Sequence, residues 1–178
     1  MSTLEVKAIQ APTGFDLDMP AGHIVQTVSS TLSSTVAITT NTSFTNIFSA
    51  TITPKFATSK ILIVVNLGAV GESSGSSRSQ AFQLKRGSTA IGIADADGSR
   101  QRASFRVWTP TDSNHASTGS INYLDSPATT SATTYYCAGM VQNGGETLYI
   151  NRTGGNGDNA TSYGSRTIST ITLMEVAQ

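Results

Sequence analysis

The stretch SATITPKFATSKILIVVNLGAV, Ser49–Val70, changes its hydrophobic pattern halfway along. Its first part alternates as a half-exposed β-strand does, with Ala50, Ile52 and Pro54 set between hydroxyl residues. After Lys60 the alternation stops, and the run Ile-Leu-Ile-Val-Val predicts a strand that is apolar on both faces. In a small sandwich one face packs on the opposing sheet and the other normally meets water. The stretch therefore predicts a sandwich strand whose second face needs a cover.

The rest of the chain repeats short strand-like runs separated by Gly, Ser, Asn, Asp and Pro. Helical periodicity is almost absent, which favours a sandwich or jelly roll. We predict an all-β fold, a β-sandwich or jelly roll, over residues 22–178, preceded by a short N-terminal arm over residues 1–21. The predicted strands are His23–Ser29, Thr35–Thr40, Thr45–Thr53, Lys60–Val70, Ser79–Arg86, Thr89–Ala94, Ala103–Thr109, Ser117–Tyr123, Thr133–Gln142, Thr147–Asn151 and Arg166–Val176.

Composition narrows the function classes. Charged residues make up 12% of the 178 residues and the formal net charge is +0, so the sequence predicts no basic surface for binding nucleic acid. No run approaches the roughly 18 apolar residues of a membrane helix, and the N-terminus lacks the pattern of a secretory signal. We expect no nucleic-acid partner, no membrane insertion and synthesis in a cytoplasm. The single cysteine, Cys137, excludes an intrachain disulfide and is expected to be a buried small hydrophobe.

Residues suited to catalysis or metal binding are sparse. The two histidines are His23, at the start of a strand, and His115, in a polar loop with Asp112 and Ser113 close by. A serine, histidine and carboxylate adjacent in sequence do not make a triad, because the fold brings triad members together. The segment Asp95–Arg100, DADGSR, matches part of a calcium loop but lacks its terminal Glu, and Asp-Gly is a common turn dipeptide. We predict a turn there, no cofactor, no metal and no enzymatic activity.

Three polar segments are candidates for recognition: the loop around Asp95, residues 112–119 and the glycine-rich residues 154–164. The alternative is that these loops are simply polar and variable. Trp108, the only tryptophan, lies by alternation on the wetter face of its strand, where it is an anchor for a ligand or a plug at the sandwich end. The predicted ligand or receptor contacts are Trp108, Asp112, His115, Asp158, Asn159 and Tyr163.

Several segments of the sequence resemble those of a known group of proteins. The segments are MSTLEVKAIQ at the start, ATITPKFATSKILIVV, LKRGSTAI, YLDSPATTSATTYY and the ending STITLMEVA. Together they resemble small tail-fibre-like or structural virion proteins of marine bacteriophages. The resemblance covers most of the chain and implies a jelly roll similar to trimeric tumour-necrosis-factor-like heads. Residues 95–120 and 153–165 contain no segment that matches this group.

The resemblance offers one cover for the second face of the long apolar strand. In such trimers one sheet packs on its own core and also lines the subunit interface. Ile61, Ile63 and Val65 would then face the core, while Leu62 and Val64 face a neighbouring subunit. Tyr136 is a further interface candidate, because its neighbour Tyr135 points the other way. The alternative cover is the N-terminal arm or a long loop.

The resemblance implies a non-enzymatic virion structural protein, a fibre or spike component located on the virion. Its expected partners are two further copies of itself, another virion protein bound through the arm, and a host-surface glycan or protein contacted by loops. A capsid decoration protein is the alternative within the same class. A polysaccharide-degrading tailspike enzyme is the less favoured alternative, since such enzymes need paired carboxylates and the chain has only 11 Asp and Glu residues.

Overall fold

The computed structural model describes residues 20–74, 76–158, 160 and 164–178. These residues form an all-β fold, and a strand lies at each of the predicted strand runs, with ends displaced by a few residues. β6 ends three residues before its predicted end because Gly92 follows it with a φ of 55°. The strands are β1 (Ile24–Leu32), β2 (Val36–Ile38), β3 (Thr45–Ile52), β4 (Lys60–Glu72), β5 (Arg78–Arg86), β6 (Thr89–Ile91), β7 (Phe105–Thr109), β8 (Ser117–Asp125), β9 (Thr133–Met140), β10 (Leu148–Ile150) and β11 (Ser169–Val176).

The strand pairing confirms the predicted jelly roll. β1 pairs with β11, β3 with β9, β4 with β8 and β5 with β7, all antiparallel, so early strands of the chain pair with later strands in reverse order. β11 also pairs with β4, and β9 with β5, and these pairings arrange the strands in two sheets. Sheet A has the order β1-β11-β4-β8 and sheet B the order β3-β9-β5-β7. Short β2 and β10 extend sheet A, and β6 extends sheet B.

The core lies between the inner faces of the two sheets. Ile61, Ile63 and Val65 of β4 are fully buried, as the resemblance implied, and pack in one cluster with Phe82 and Leu84 of β5. Cys137 of β9 belongs to the same cluster, which confirms its role as a buried hydrophobe. Burial raises the pKa of the Cys137 thiol to about 12, so it stays protonated at neutral pH.

A buried carboxylate closes the sandwich beside the β3–β4 connection. Glu175 points inward from β11 and accepts hydrogen bonds from Gln26 Nε2 at 2.6 Å and from the backbone N–H groups of Lys55 at 2.8 Å and Phe56 at 3.1 Å. Burial by itself raises the pKa of Glu175, but these hydrogen bonds outweigh it and hold the pKa below the ordinary value of 4.5. The ionised side chain therefore fixes the β3–β4 connection to sheet A.

A second buried carboxylate joins the two sheets at the same end. Asp125 Oδ2 of β8 accepts hydrogen bonds from Tyr135 Oη at 2.7 Å and from Arg86 Nη1 at 2.8 Å, both from sheet B. Burial, helped by this contact, raises the pKa of Tyr135 far above its usual range, so the phenol remains a donor.

At the opposite end a buried asparagine holds two connections in place. Asn151 is fully buried with a φ of 64°. Its Nδ2 donates to the carbonyls of Leu32 at 2.8 Å and Ser34 at 2.9 Å, and its Oδ1 accepts from Ser169 Oγ at 2.7 Å. Asn tolerates positive φ better than most residues, and here its amide also satisfies buried backbone groups. It therefore ties the turn after β1 to the start of β11.

The sandwich has two distinct ends. At the arm end, Gly22 N donates to the Ala177 carbonyl at 2.8 Å and Ala177 N to the His23 carbonyl at 2.9 Å, so the chain enters β1 beside the end of β11. The loop end carries the β4–β5, β7–β8 and β10–β11 connections.

Residues 1–19 of the predicted arm lie outside the described part of the chain. None of the described segments forms a helix with the length and apolarity needed to cross a bilayer.

Candidate functional site

The outer face of sheet A carries an apolar row across three strands. Leu62 of β4 lies opposite Met174 of β11 on one side and opposite Leu124 of β8 on the other. Val64, two residues further along β4, lies between Thr172 and Asn122. The side chains of such cross-strand neighbours touch, so the row is one continuous surface.

This outer face is nearly free of charge. Among the described residues of β1, β11, β4 and β8, the only charged side chain on this face is Lys60, at its margin; the polar positions are Thr, Ser and Asn. Leu124 is 45% exposed, and Leu62 and Val64 are half-buried. The described loops therefore leave at least the Leu124 part of the row open to solvent. An exposed apolar patch without charge is typical of a protein–protein interface.

Tyr136, the third predicted interface residue, lies elsewhere. It projects from the outer face of sheet B, opposite Ser49 of β3 and Lys85 of β5. Tyr135 points the other way and is fully buried, which confirms the predicted alternation. Tyr136 and the Leu62–Val64 pair therefore occupy opposite outer faces of the sandwich, and no single flat surface contains both.

Two of the segments predicted for recognition meet at the loop end. Gly155 N donates to the Ser113 carbonyl at 2.8 Å, which joins the β10–β11 connection to the β7–β8 connection. Beneath them lies an open cleft of about 300 Å³, lined by Asn114, His115 and Thr153 together with β4. Asp158 is exposed at the same end. Asn159 and Tyr163, also predicted as contact residues, lie outside the described residues.

Asp112 and His115 form a turn. His115 N donates to the Asp112 carbonyl at 3.0 Å, Asn114 N donates to Asp112 Oδ1 at 2.8 Å, and His115 Nδ1 lies 3.1 Å from Asp112 Oδ2. Both side chains are largely exposed. In the described part of the chain no hydroxyl or thiol hydrogen-bonds to His115, so the turn lacks the contact between nucleophile and base that a triad requires.

The DADGSR segment is a turn, as predicted. Gly98 has a φ of 56°, Arg100 N donates to the Asp97 carbonyl at 3.2 Å, and Arg100 Nη1 lies 3.0 Å from Asp97 Oδ2. The carboxylate of Asp97 is thus directed toward an arginine. Within the described ranges, no three His, Cys, Asp or Glu side chains gather as metal ligands.

Trp108 lies on the outer face of sheet B, opposite Ser79 of β5. Its side chain is 60% exposed, so it does not plug the end of the sandwich. Arg106 precedes it on the same face, as the alternation predicted, and Val107 between them is buried. A large exposed indole beside a guanidinium is available for contact with another molecule.

A second cleft, of about 440 Å³, lies on the outer face of sheet B, and Ser79, which lies opposite Trp108, is one of its lining residues. This cleft was not predicted from the sequence because its walls come from separate parts of the chain. The alternation of Arg106 and Trp108 was the only local signal. The lining residues are Ser79, Ala81, Arg100, Gln101, Ala103, Arg106, Met140, Val141 and Gln142.

Comparison with known proteins gives no family for this chain: no protein-family model matches it, and no curated protein matches it either.

Proposed function

We propose that this chain is a non-enzymatic structural protein of a bacteriophage virion, a fibre or spike component that works as a homotrimer. The observation that carries the assembly part of the proposal is the outer face of sheet A. It presents a row of Leu62, Met174 and Leu124, and among the described residues of its four long strands Lys60, at the margin, is the only charged side chain on this face. The virion origin is supported by the sequence segments that resemble those of small virion proteins of marine phages.

A closed ring of identical subunits suits this surface. Burying apolar area contributes about 25 cal/mol per Å², and packing copies around an axis removes the exposed row from water without leaving an open end that continues to polymerise. Three subunits, rather than two, follow from the resemblance to trimeric jelly rolls. The outer face of sheet A then lines the threefold axis, and the outer face of sheet B with Trp108 remains outside.

The arrangement of the sandwich suits attachment to the particle at the arm end and a free surface at the loop end. The chain enters β1 at the arm end, where Gly22 and His23 are bonded to Ala177. The joined segments around Ser113 and Gly155 lie at the opposite end. An arm that binds another virion protein would therefore leave the loop end pointing away from the particle. This polarity favours host contact through the loop end over a purely internal role.

The proposal is tested on purified particles. Mass spectrometry of gradient-purified phage should detect the chain at a copy number divisible by three per appendage, and gold-labelled antibodies should mark the tail or its fibres. Label spread evenly over the capsid would instead identify a decoration protein. Release of reducing ends from host polysaccharide by the purified protein would identify a tailspike enzyme. Absence of the chain from particles would overturn the proposal.

A further inference from the structure

We infer that the cleft beside Trp108 is a binding site for an acidic saccharide, with Arg106 as its anion-binding residue. The inference deepens the proposed function, on which it rests for the biological source of the ligand: an acidic glycan of the host surface. The binding property itself depends only on the geometry of one subunit.

The cleft is built by the fold. Its floor is the outer face of sheet B, and one wall is the segment 92–104, which folds back across that face. Gln83 Nε2 donates to the Arg102 carbonyl at 2.7 Å, and Ser104 N donates to the Phe82 carbonyl at 2.8 Å. Arg102 Nε donates in turn to the Ala94 carbonyl at 2.6 Å. These bonds fix the wall, so the cleft exists before any ligand arrives.

The charge of the cleft is positive. Arg100 and Arg106 both line it, and no Asp or Glu is among its described lining residues. Arg100 is paired with Asp97, but both side chains are about three-quarters exposed, and such pairs are weak. Arg106 donates from Nη2 to the Ser79 carbonyl at 2.6 Å and has no carboxylate partner among the described residues. One bond to a carbonyl orients the guanidinium and leaves donors for a carboxylate or sulfate.

The neutral groups around the cleft suit a sugar. Gln142 Oε1 accepts from Ser79 N at 2.8 Å, which leaves its Nε2 to donate to a hydroxyl or ring oxygen. Gln101 adds a second amide on the opposite wall. Trp108, 60% exposed and directly opposite Ser79, offers a flat apolar face at the margin. An aromatic platform, two amides and an arginine match a polyhydroxylated ring that carries an acidic group.

The size of the cleft fits this class of ligand. Its volume of about 440 Å³ falls within the range of roughly 300–1,000 Å³ that is usual for small-molecule sites. A phosphopeptide or nucleic acid fits less well, because the positive charge is confined to Arg100 and Arg106 and the chain as a whole has a formal net charge of +0.

The experiment is calorimetric titration of the purified full-length protein with three probes: an oligogalacturonate, a heparin-derived oligosaccharide and maltohexaose. We expect at least one acidic probe to bind measurably and the neutral maltohexaose to bind at least about tenfold more weakly, since a charge-assisted contact is lost. Arg106→Gln should weaken acidic binding by about tenfold or more. Arg106→Lys should retain part of the affinity for the acidic probes, because the positive charge remains but the planar guanidinium group does not. Trp108→Ala should weaken the acidic and neutral probes alike.

Arg166→Gln is the matched control, because Arg166 is exposed, carries the same charge and lies outside the cleft. It should change affinity by no more than about twofold, as expected for a distant surface charge. Equal losses for Arg166→Gln and Arg106→Gln would show unspecific attraction and overturn the assignment, as would failure of both acidic probes to bind. Saccharide binding by a chain absent from virions would refute the proposed function alone. A virion protein that binds neither acidic probe, or binds them as tightly after Arg106→Gln, would refute this inference alone.

Discussion

Leu62 of β4 and Leu124 of β8 lie directly opposite each other in an antiparallel ladder, with both side chains on the outer face of sheet A. Leu124 is 45% exposed even with this neighbour in place. Met174 extends the row on the other side of Leu62. The residues that pack inward at the adjacent positions, Ile61 and Ile63, are fully buried. The long apolar strand thus contributes one face to the core and leaves the other open for a partner.

Charges placed on this open face should dissociate the assembly and leave the fold intact. Leu62→Asp combined with Val64→Asp puts two unpaired carboxylates into the proposed interface, where desolvation penalises them strongly. Light scattering after gel filtration should give three times the 18.5 kDa chain mass for the wild type and a single chain mass for the variant. The far-ultraviolet circular dichroism spectrum of both should be that of a β-protein.

The control places the same two charges elsewhere. Ser88→Asp with Thr89→Asp alters an exposed turn and edge of sheet B, away from the apolar row. This variant should keep the wild-type mass. A wild-type protein that is monomeric at micromolar concentration would contradict the proposed trimer directly.

Removal of residues 1–21 should abolish incorporation into particles without unfolding the domain. The cut leaves Gly22 and His23, so both backbone bonds to Ala177 are kept. A cooperative thermal transition should remain, measured by calorimetry. Particles assembled with the truncated chain should lack it in gels of purified virions. Normal occupancy of the truncated protein would show that the arm is not the anchor.

Substitutions at the loop end should affect adsorption far more than stability. Asp112→Asn, His115→Ala and Asp158→Ala together remove exposed groups, and the amide oxygen introduced by Asp112→Asn would still accept from Asn114 N. Exposed positions typically contribute within about 0.5 kcal/mol each, so the melting temperature should change little. Phage adsorption should fall strongly. Unchanged adsorption would show that another protein, or another surface of this one, reads the receptor.

Glu175 makes part of the folding stability dependent on pH. Its pKa is lower in the folded state, so its contribution is complete above about pH 4.5 and disappears as the pH falls through the folded-state pKa. Glu175→Gln should cost roughly 2 kcal/mol at pH 7, because hydrogen bonds to a charged acceptor are lost. Urea melts at descending pH should show the gap between wild type and variant shrinking below pH 4.5. A constant gap would contradict the assigned ionisation.

Asn151 should be sensitive to substitution in a specific order. Asn151→Ala leaves the carbonyls of Leu32 and Ser34 without their donor and forces alanine to a φ of 64°, for a loss of roughly 3 kcal/mol. Asn151→Gly should be about 1 kcal/mol less damaging, because glycine adopts this φ without strain. Chemical denaturation measures both. Equal losses would show that the backbone conformation contributes nothing.

The strands were predictable from sequence because their signal is local. The alternation around Ala50 and that of Ile171 and Leu173 report two-residue periodicity within one strand, and the uninterrupted apolar run after Lys60 indicates a strand that is apolar on both faces. The apolar run alone does not say which of its residues face the core, and only the resemblance to jelly-roll trimers assigned Ile61, Ile63 and Val65 to it. Turn residues also give local signals for strand ends, as Gly92 does after β6.

The surfaces were less predictable because they depend on register between distant strands. Leu62, Leu124 and Met174 are separated by many residues, and only the pairing of β4 with β8 and β11 makes them one row. The cleft beside Trp108 joins β5, β7, β9 and a loop in the same way. Asn151 looked like the end of a strand, and its buried hydrogen bonds have no local sequence signal.

A reconstruction of the phage particle by electron cryomicroscopy, with this chain located, is the decisive test of the proposed trimeric appendage. We predict threefold density on the tail or its fibres, with the outer faces of sheet A against the axis and the loop end pointing outward. Leu62 and Leu124 of each subunit should then contact a neighbouring copy. Density for isolated single copies, or a sheet A face turned toward solvent, would contradict the proposed trimer.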